Sequence, residues 1–523
     1  MARQNNEDPA LLQGSRKSAA TRTVESVGGG KWVLVNEQAR QSVLNFESAE
    51  NPAAFVAGVD GGAAGGQTSP APCAAPQSKS TTKRALSATM EEVIEHLHDA
   101  FRKVASNKGA PGPDGKSIDE VRKHQDVVLA QLVRALRDGT YAPGEIRRVW
   151  IPKGGGGQRG LGVPNVVDRI VGEAVRQVLE PLYEPTFRPQ SHGFRPGRSC
   201  HTAITDAVKH VEQGYELVVD LDLEKFFDRV HHQRLLARLS ERVEDRRVLT
   251  LIQRMLKAKV VMPEGVLVST EEGVPQGGPL SPLLSNIVLD ELDTELVRRG
   301  HRFVRYADDL NVYVRTERAG KRVMASITRF IERRLRLKVN EDKSAVARTG
   351  ERHFVGFRLK RKSMDGEVEV LLSERSKRRI DEKIRELTPR NWGGSLRRCI
   401  EKLNVYTRGW IGFFRICTDQ VETTLRTLDS HIRRRLRAIQ LKQWKRKRTI
   451  ARRLIARGVK RTTAWRRVYQ GRKSLWVLSH DSTVDRALRN AYFAARGFEP
   501  IADLWRARRP HIGAPVQLVL PLG

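Results

Sequence analysis

The sequence predicts an α+β protein: strands and amphipathic helices alternate along most of the chain, and a helical, strongly basic segment follows. Three observations predict this. Segments rich in β-branched and aromatic residues recur at 146–153, 217–223 and 302–314. Apolar residues at helical spacing occupy the stretches between them. The formal net charge of the 523 residues is +34, and much of it lies near the end of the chain. A chain this long exceeds one core and divides into several domains.

Composition narrows the function classes. Hydrophobic residues make up 39%, which suffices for folded domains and leaves room for charged or unstructured parts. No apolar run approaches a bilayer span, so no membrane partner is expected. Residues 1–13 are polar and carry Glu7 and Asp8. That fits neither a secretory signal nor an acid-poor transit peptide, and a cytoplasmic protein is expected. The positive surplus calls for a polyanion, and nucleic acid fits it better than a membrane surface. Cys73, Cys200, Cys399 and Cys417 are scattered with no CxxC pair, so neither zinc nor a disulfide framework is expected.

Residues 1–85 form a poor folding substrate. The run 51–79 is mostly Ala, Gly, Pro and Ser and cannot offset its ordering entropy. A flexible low-complexity arm is predicted, with 31–35 the one segment able to dock. Order begins near Ser87, where Ser87 or Thr89 can cap a helix starting at Met90. A dense turn signal at 107–115 and a helix over 126–137 follow. Residues 146–153 alternate like a strand, Gly154 to Gly157 make a tip, and 158–164 return. Lys153 and Arg159 flank this tip and are placed to hold phosphate oxygens. An ordinary exposed loop with two charges is the competing reading. A helix over 168–182 and a basic Gly/Pro loop at 191–199 come next.

The chemistry concentrates in three later stretches. Leu217-Val218-Val219-Asp220-Leu221-Asp222-Leu223 is a strand running into an acidic segment, with Leu221 and Leu223 directed to the core. Residues 272–282 form a Gly/Pro loop that opens a helix over 281–298, and its bare backbone can approach a flat ligand. Residues 302–314 read as two short strands with Asp308-Asp309 at the turn. Two adjacent acids cannot both be buried without a cation. Alone they would read as a solvated turn. With Asp222, a phosphate-holding hairpin and a Gly-rich loop, they form the set required for nucleotidyl transfer by two metal ions roughly 3.5–4 Å apart. Oxygen ligands without His or Cys favour two Mg²⁺ ions.

Tyr306-Ala307-Asp308-Asp309, the segment 219–228 and the loop 274–282 resemble reverse transcriptase motifs, in order and at matching spacing. Ile151-Pro152-Lys153, the segment 169–187, His192-Gly193-Phe194-Arg195-Pro196-Gly197-Arg198-Ser199 and Asn340-Glu341-Asp342-Lys343 narrow the resemblance to group II intron-encoded reverse transcriptase/maturases. It runs from about residue 107 to residue 505. It implies a right-hand polymerase fold with an antiparallel palm sheet, an α-helical thumb or maturase X domain, and a small basic DNA-binding region. The implied boundaries are fingers 86–205, palm 206–372, thumb 373–448 and DNA-binding region 449–523.

The resemblance also implies roles. Asp222, Asp308 and Asp309 match the catalytic metal-binding triad, the Leu223 carbonyl is an extra ligand, and Asp220 is a supporting acid. Lys153 and Arg159 match residues on the incoming dNTP triphosphate. Phe227 matches the aromatic gate beneath the sugar that favours dNTPs over rNTPs, and it could serve partly as a core aromatic. Gln276, Gly277 and Gly278 match the loop on nucleotide and template, and Lys343 a proton donor to pyrophosphate. Phe354, Gly356 and Phe357 match a primer-positioning strand. Two departures stand out: Gly160 replaces a usual proline after the fingers arginine, and the Gly154–Gly157 tip replaces a more polar turn. Both are expected to loosen the hairpin without removing its charge.

Residues 391–523 hold 30 Lys/Arg against 8 Asp/Glu, a surplus of 22 out of the net 34. Basic residues interleave with aromatics at Tyr406, Arg408 and Trp410. A helix over 431–448 is expected to carry Arg433, Arg434, Arg437, Lys442, Lys445, Arg446 and Arg448 around most of its circumference, as phosphate neutralisation would use them. Arg195 and Arg198 join this set of expected RNA- and DNA-binding residues. Group II intron RNA and target DNA are the implied partners. Many relatives carry a Cys/His-rich nuclease domain, and the missing CxxC pattern leads to the expectation that it is absent here. Two other readings compete: a reverse transcriptase domesticated for defence or diversification, and an RNA-binding splicing factor with a dead polymerase. The maturase-like C-terminal region argues against the first, and the three acids with the Phe227 gate argue against the second.

Overall fold

The computed structural model describes residues 88–152, 157–269, 271–362, 366–470 and 474–509. The expected N-terminal arm, Ser87, and the hairpin tip with Lys153 lie outside the described residues.

Thr89 opens the first helix, α1 (Met90–Glu95). Its hydroxyl accepts from the Glu92 amide, and the Glu92 carboxylate accepts from the Thr89 amide. This reciprocal cap satisfies two amides that would otherwise be orphaned. Helix α2 (Gln125–Arg137) follows, then the hairpin of β1 (Ile146–Pro152) and β2 (Gln158–Val163), paired from Arg147 with Val163 to Pro152 with Gln158. The central helices are α3 (Val166–Tyr183) and α4 (Cys200–Glu212). Strand β3 (Leu217–Leu221) is followed by two short strands, β4 (Val260–Val261) and β5 (Leu267–Val268). These extend the hairpin into a four-stranded sheet ordered β2-β1-β4-β5.

Helix α5 spans Ser281–Arg298, as the sequence pattern predicts. After it come β6 (Arg302–Tyr306), β7 (Asp309–Val314) and β8 (Ala345–Arg348), which join β3 in an antiparallel sheet ordered β6-β7-β3-β8. Strands β9 (Phe357–Arg361) and β10 (Val368–Leu372) form a separate pair.

The β6-β7-β3-β8 sheet divides the protein into two cores. Val219, Leu221, Phe303, Leu310 and Val312 face one core with α3 and α5. Val218, Val304 and Tyr313 face the other. A sheet buried on both faces has no solvent side, so its strands read as apolar runs rather than as alternation. Each such side chain contributes about 1.5–3 kcal/mol of burial.

The second core continues into the helical C-terminal region: α6 (Glu374–Leu387), α7 (Leu396–Phe414), α8 (Val421–Gln443), α9 (Lys447–Ile455), α10 (Leu475–Leu478) and α11 (Ile501–Arg508). The helix expected over 431–448 is corrected here. Helix α8 stops at Gln443, Lys445 takes a left-handed φ of 57°, and α9 begins at Lys447. The turn lets Ile450, Ala451 and Leu454 fold back onto the core. The α11 amides of Ile501 and Ala502 donate to the buried Asp429 carboxylate at 2.7 and 3.1 Å. Trp505 of α11 is fully buried, so the expected boundary at 448/449 runs through one continuous core.

Candidate active site

Strand register gathers the acids at one end of the sheet. β3 pairs with β7 as far as Leu221 opposite Leu310, and β6 with β7 as far as Tyr306 opposite Asp309. One residue beyond the last β3 rung, Asp222 comes level with Asp309. Asp308 lies in the two-residue turn, after Ala307 at a left-handed φ of 55°.

The 340–344 turn holds Asp222 in place. The Asp222 amide donates to Ser344 Oγ at 3.0 Å, and its carbonyl accepts from the Asn340 amide at 2.8 Å. Lys343 Nζ lies 3.5 Å from Asp222 Oδ2. Asp220 is engaged elsewhere, by Arg352 at 2.6 Å. Burial pushes the Asp308 carboxyl above the usual carboxylate range; Asp222 adds to this, and Arg159 and Arg305 oppose it.

Asp222 and Asp308 line a common cleft of about 1020 Å³, whereas Asp309 is exposed at the foot of β7. Among the described residues no three Asp, Glu, His or Cys side chains already form a chelating group. The donor set nonetheless suits a hard divalent cation. The Leu223 carbonyl accepts no hydrogen bond among the described residues. Among the described residues no His or Cys lines the cleft. A cation between Asp222 and Asp308 would offset the burial that raises the Asp308 carboxyl and the smaller repulsion from Asp222.

The walls come from three regions: Arg148, Trp150 and Arg159 from the β1–β2 hairpin, Phe227, Gln276 and Lys343 from around the sheet, and Arg375 and Arg379 from α6. Phe227 is placed by a short turn after left-handed Lys225 and packs edge-on to Phe226, with ring centroids 5.2 Å apart. It is almost fully buried yet borders the cleft, so it serves core and rim together.

The hairpin and the 273–279 loop clasp each other. Arg159 Nε donates to Gln276 Oε1 at 3.0 Å, and the Gly162 amide to the Gln276 carbonyl at 2.6 Å. Gly277 has φ 122°, and a Cβ there would lie 2.4 Å from the Gly162 carbonyl oxygen. This bare backbone allows a close approach between two segments of the chain. Gly278 lies on the same loop, near Ser281 Oγ. Gly160 has a local reason too: a Cβ would meet Arg148 and Trp150 at 2.7–3.0 Å.

Several expected nucleic-acid contacts are corrected. Arg195 is buried, ion-paired to Glu184 at 2.8 Å, and donates to the carbonyls of Arg188 and Ser191. Arg198 is half-buried and donates to the Pro189 carbonyl. Trp410 is a core residue against Phe414, and Tyr406 is half-buried at the core edge. Arg408 ties Glu499 to α7, and Arg437 is buried in an ion pair with Asp485. The rings of Phe354 and Phe357 are buried; they flank a tight Val355-Gly356 turn, with Phe357 packed on Phe413 and Phe414. Arg434 stacks over Trp476 at 3.9 Å, and Arg433 donates to Ser430. Lys442, Lys445, Arg446 and Arg448 are exposed.

Sequence reasoning missed Arg375, Arg379, Trp150 and Arg305. The signal for the α6 pair was its basic run from Arg375 to Arg379 at helical spacing. Trp150 was visible only as a strand aromatic. Arg305 sits in an apolar strand where a charge is anomalous.

Residues 151–359 match the family profile described as reverse transcriptase (RNA-dependent DNA polymerase), and residues 377–457 match that of the group II intron maturase-specific domain. Protein YkfC of Escherichia coli is 35% identical over 319 residues, covering 53% of this chain and 84% of that protein. The group II intron-encoded protein LtrA of Lactococcus lactis is 28% identical over 368 residues, covering 54% of this chain and 61% of LtrA. The chain belongs to the group II intron-encoded reverse transcriptase/maturases. A putative COX1/OXI3 intron 2 protein of Saccharomyces cerevisiae is 30% identical over 327 residues, 51% of this chain and 38% of that protein. In this reverse transcriptase/maturase the polymerase match contains Asp222 and Asp308 of the cleft, and the maturase match runs from α6 to just beyond α9. A reverse transcriptase domain works with a divalent cation and dNTPs. A maturase domain points to intron RNA. No described helix is long and apolar enough to cross a membrane.

Proposed function

We propose that this reverse transcriptase/maturase binds group II intron RNA, assists its splicing, and copies it into target DNA by target-primed reverse transcription. The observation that carries the reading is the single cleft lined by Asp222, Asp308, Phe227, Lys343 and the Arg159–Gln276 clasp, next to a maturase region with an exposed basic turn.

Two Mg²⁺ ions held by Asp222, Asp308, Asp309 and the Leu223 carbonyl would activate the primer hydroxyl and neutralise the triphosphate. The residues of the chain do the rest. Arg159, oriented by Gln276, seats the triphosphate, and Lys153 adds a second cation. The Phe227 ring closes the space where a ribose 2′-hydroxyl would sit. The primer 3′-hydroxyl gives up its proton to solvent, its oxygen bonds to the α-phosphorus as the bond to the bridging oxygen breaks, and Lys343 gives a proton to the departing pyrophosphate. Zinc has no part in this scheme.

The test is the RNA that copurifies with the protein. Sequencing should return a group II intron, and adding the protein should accelerate excision of that intron at low Mg²⁺. Asp308→Ala should splice as well as wild type. Copurification of only unrelated RNA, with no effect on excision, would reject the maturase half of the proposal.

A further inference from the structure

Arg305 is a charged residue among the largest fully buried side chains of the described residues, with 1% of its surface exposed, and it lies two residues before the Ala307-Asp308 turn. Its guanidinium spends every nitrogen. Nε and Nη2 bind the Asp293 carboxylate of α5 at 2.8 and 2.5 Å. Nη1 donates to Asn286 Oδ1 at 3.0 Å and to the Ala307 carbonyl at 2.8 Å, and Nη2 also donates to Ser191 Oγ at 2.7 Å. Asp293 is fully buried, so the pair is held in a fixed fork geometry rather than in a loose surface contact.

The same hub holds a second strand of chain against the turn. Asn286 Nδ2 donates to the Gly193 carbonyl at 2.8 Å, the His192 amide donates to the Arg305 carbonyl at 2.9 Å, and the Arg305 amide donates to the Gln190 carbonyl at 2.9 Å. Gly193 lies so close that a Cβ there would come within 2.2 Å of the Ala307 amide nitrogen. Two non-glycine residues in this contact are left-handed, Ala307 at φ 55° and Phe194 at φ 60°. Such conformations persist only where the surroundings over-determine them. The loop read from sequence as a basic nucleic-acid contact is the back wall of the acidic turn.

We propose that Arg305 is a positioning residue of the metal site. By gripping the Ala307 carbonyl from the Asp293–Asn286–Ser191 hub, it fixes the turn that aims the Asp308 carboxylate at Asp222. The proposal rests on the reading of Asp222 and Asp308 as metal ligands. Lysine keeps the charge but has one nitrogen and no fork, so it cannot serve Asp293 and Ala307 together.

The test uses the full-length protein, with Mn²⁺ binding followed by electron paramagnetic resonance beside single-nucleotide extension kinetics. Arg305→Lys should weaken Mn²⁺ binding about tenfold or more and lower kcat about a hundredfold with the dNTP KM unchanged, the size expected when a reacting group is displaced by about 1 Å. Asn286→Ala, which leaves the Arg305–Asp293 pair intact, should shift both in the same direction by a smaller factor; if Arg305→Lys does not fold, it decides the matter. Wild-type Mn²⁺ affinity and kcat in a folded Arg305→Lys, or in Asn286→Ala when the lysine variant fails to fold, would overturn the positioning role. Asp308→Ala is the control: if it binds Mn²⁺ like wild type, the metal-site reading fails instead, and the two failures are distinguished.

Discussion

Arg159 on β2 donates its Nε to Gln276 Oε1 at 3.0 Å, so the β1–β2 hairpin is hydrogen-bonded to the loop of the opposite wall. In the proposed reading the terminal guanidinium nitrogens of Arg159 meet phosphate. Arg159→Ala is expected to lower kcat/KM for dNTPs about 10- to 100-fold, the range for losing a charge-assisted hydrogen bond. Gln276→Ala should cost less, and the double variant less than the sum of the two, because both act through one contact. Strict additivity in steady-state kinetics would show that the clasp plays no part in nucleotide binding.

Gly277→Ala tests the close approach of the two walls. The added methyl meets the Gly162 carbonyl oxygen at 2.4 Å in a backbone conformation that alanine adopts poorly. The hairpin must move, and polymerisation should fall about 100-fold while RNA binding stays within twofold. Extension at the wild-type rate would mean that the two walls move independently.

The Asp308 carboxyl makes stability depend on pH. Burial first, and Asp222 second, raise its pKa in the folded protein. A carboxyl raised on folding binds its proton more tightly in the folded state. Its contribution favours folding at low pH and is lost as pH rises through and above the ordinary carboxylate range. Asp308→Asn cannot ionise, so in metal-free buffer its Tm should exceed that of wild type at neutral pH. The gain should shrink towards zero below about pH 3, where the ordinary carboxyl is itself protonated. Calorimetry at the two pH values checks this; a lower Tm at neutral pH contradicts it.

The basic residues of α8 and α9 separate into two kinds. Lys442, Lys445, Arg446 and Arg448 are exposed at the turn between the helices. Their combined replacement by alanine should leave Tm nearly unchanged and flatten the salt dependence of RNA binding by roughly 0.7 per lost contact with a single strand. Arg437 is buried against Asp485. Arg437→Ala should instead lower Tm, because it strips the charge partner from Asp485 and leaves a hole in the helix packing. Filter binding across a salt series, paired with thermal melts, distinguishes the two.

The sequence made the polymerase half legible because its chemistry is local. Asp308 and Asp309 adjoin one turn, Asp222 follows one strand, and Gly/Pro punctuation marks the loops, so helix α5 falls at the predicted Ser281–Arg298. Contacts between distant segments were not legible. Nothing in a linear reading places Gly277 on Gly162, or the 191–195 loop behind Ala307, because these meetings are made by tertiary packing. The basic C-terminal region was misread for a related reason. Charge periodicity cannot tell Arg437, which meets Asp485 across 48 residues, from Lys442, which meets solvent. The end of α8 at Gln443 was hidden because no glycine or proline marks it; Lys445 supplies the left-handed turn instead.

The most direct measurement is primer extension on poly(rA)/oligo(dT) with Mg²⁺, run beside binding of intron RNA. Wild type should extend the primer, and Asp222→Asn and Asp308→Ala should each lose at least about 10³-fold in rate while RNA affinity stays within twofold, as expected when groups that act only in the transition state are removed. Extension by Asp308→Ala at the wild-type rate would contradict the assignment of this cleft as the polymerase site.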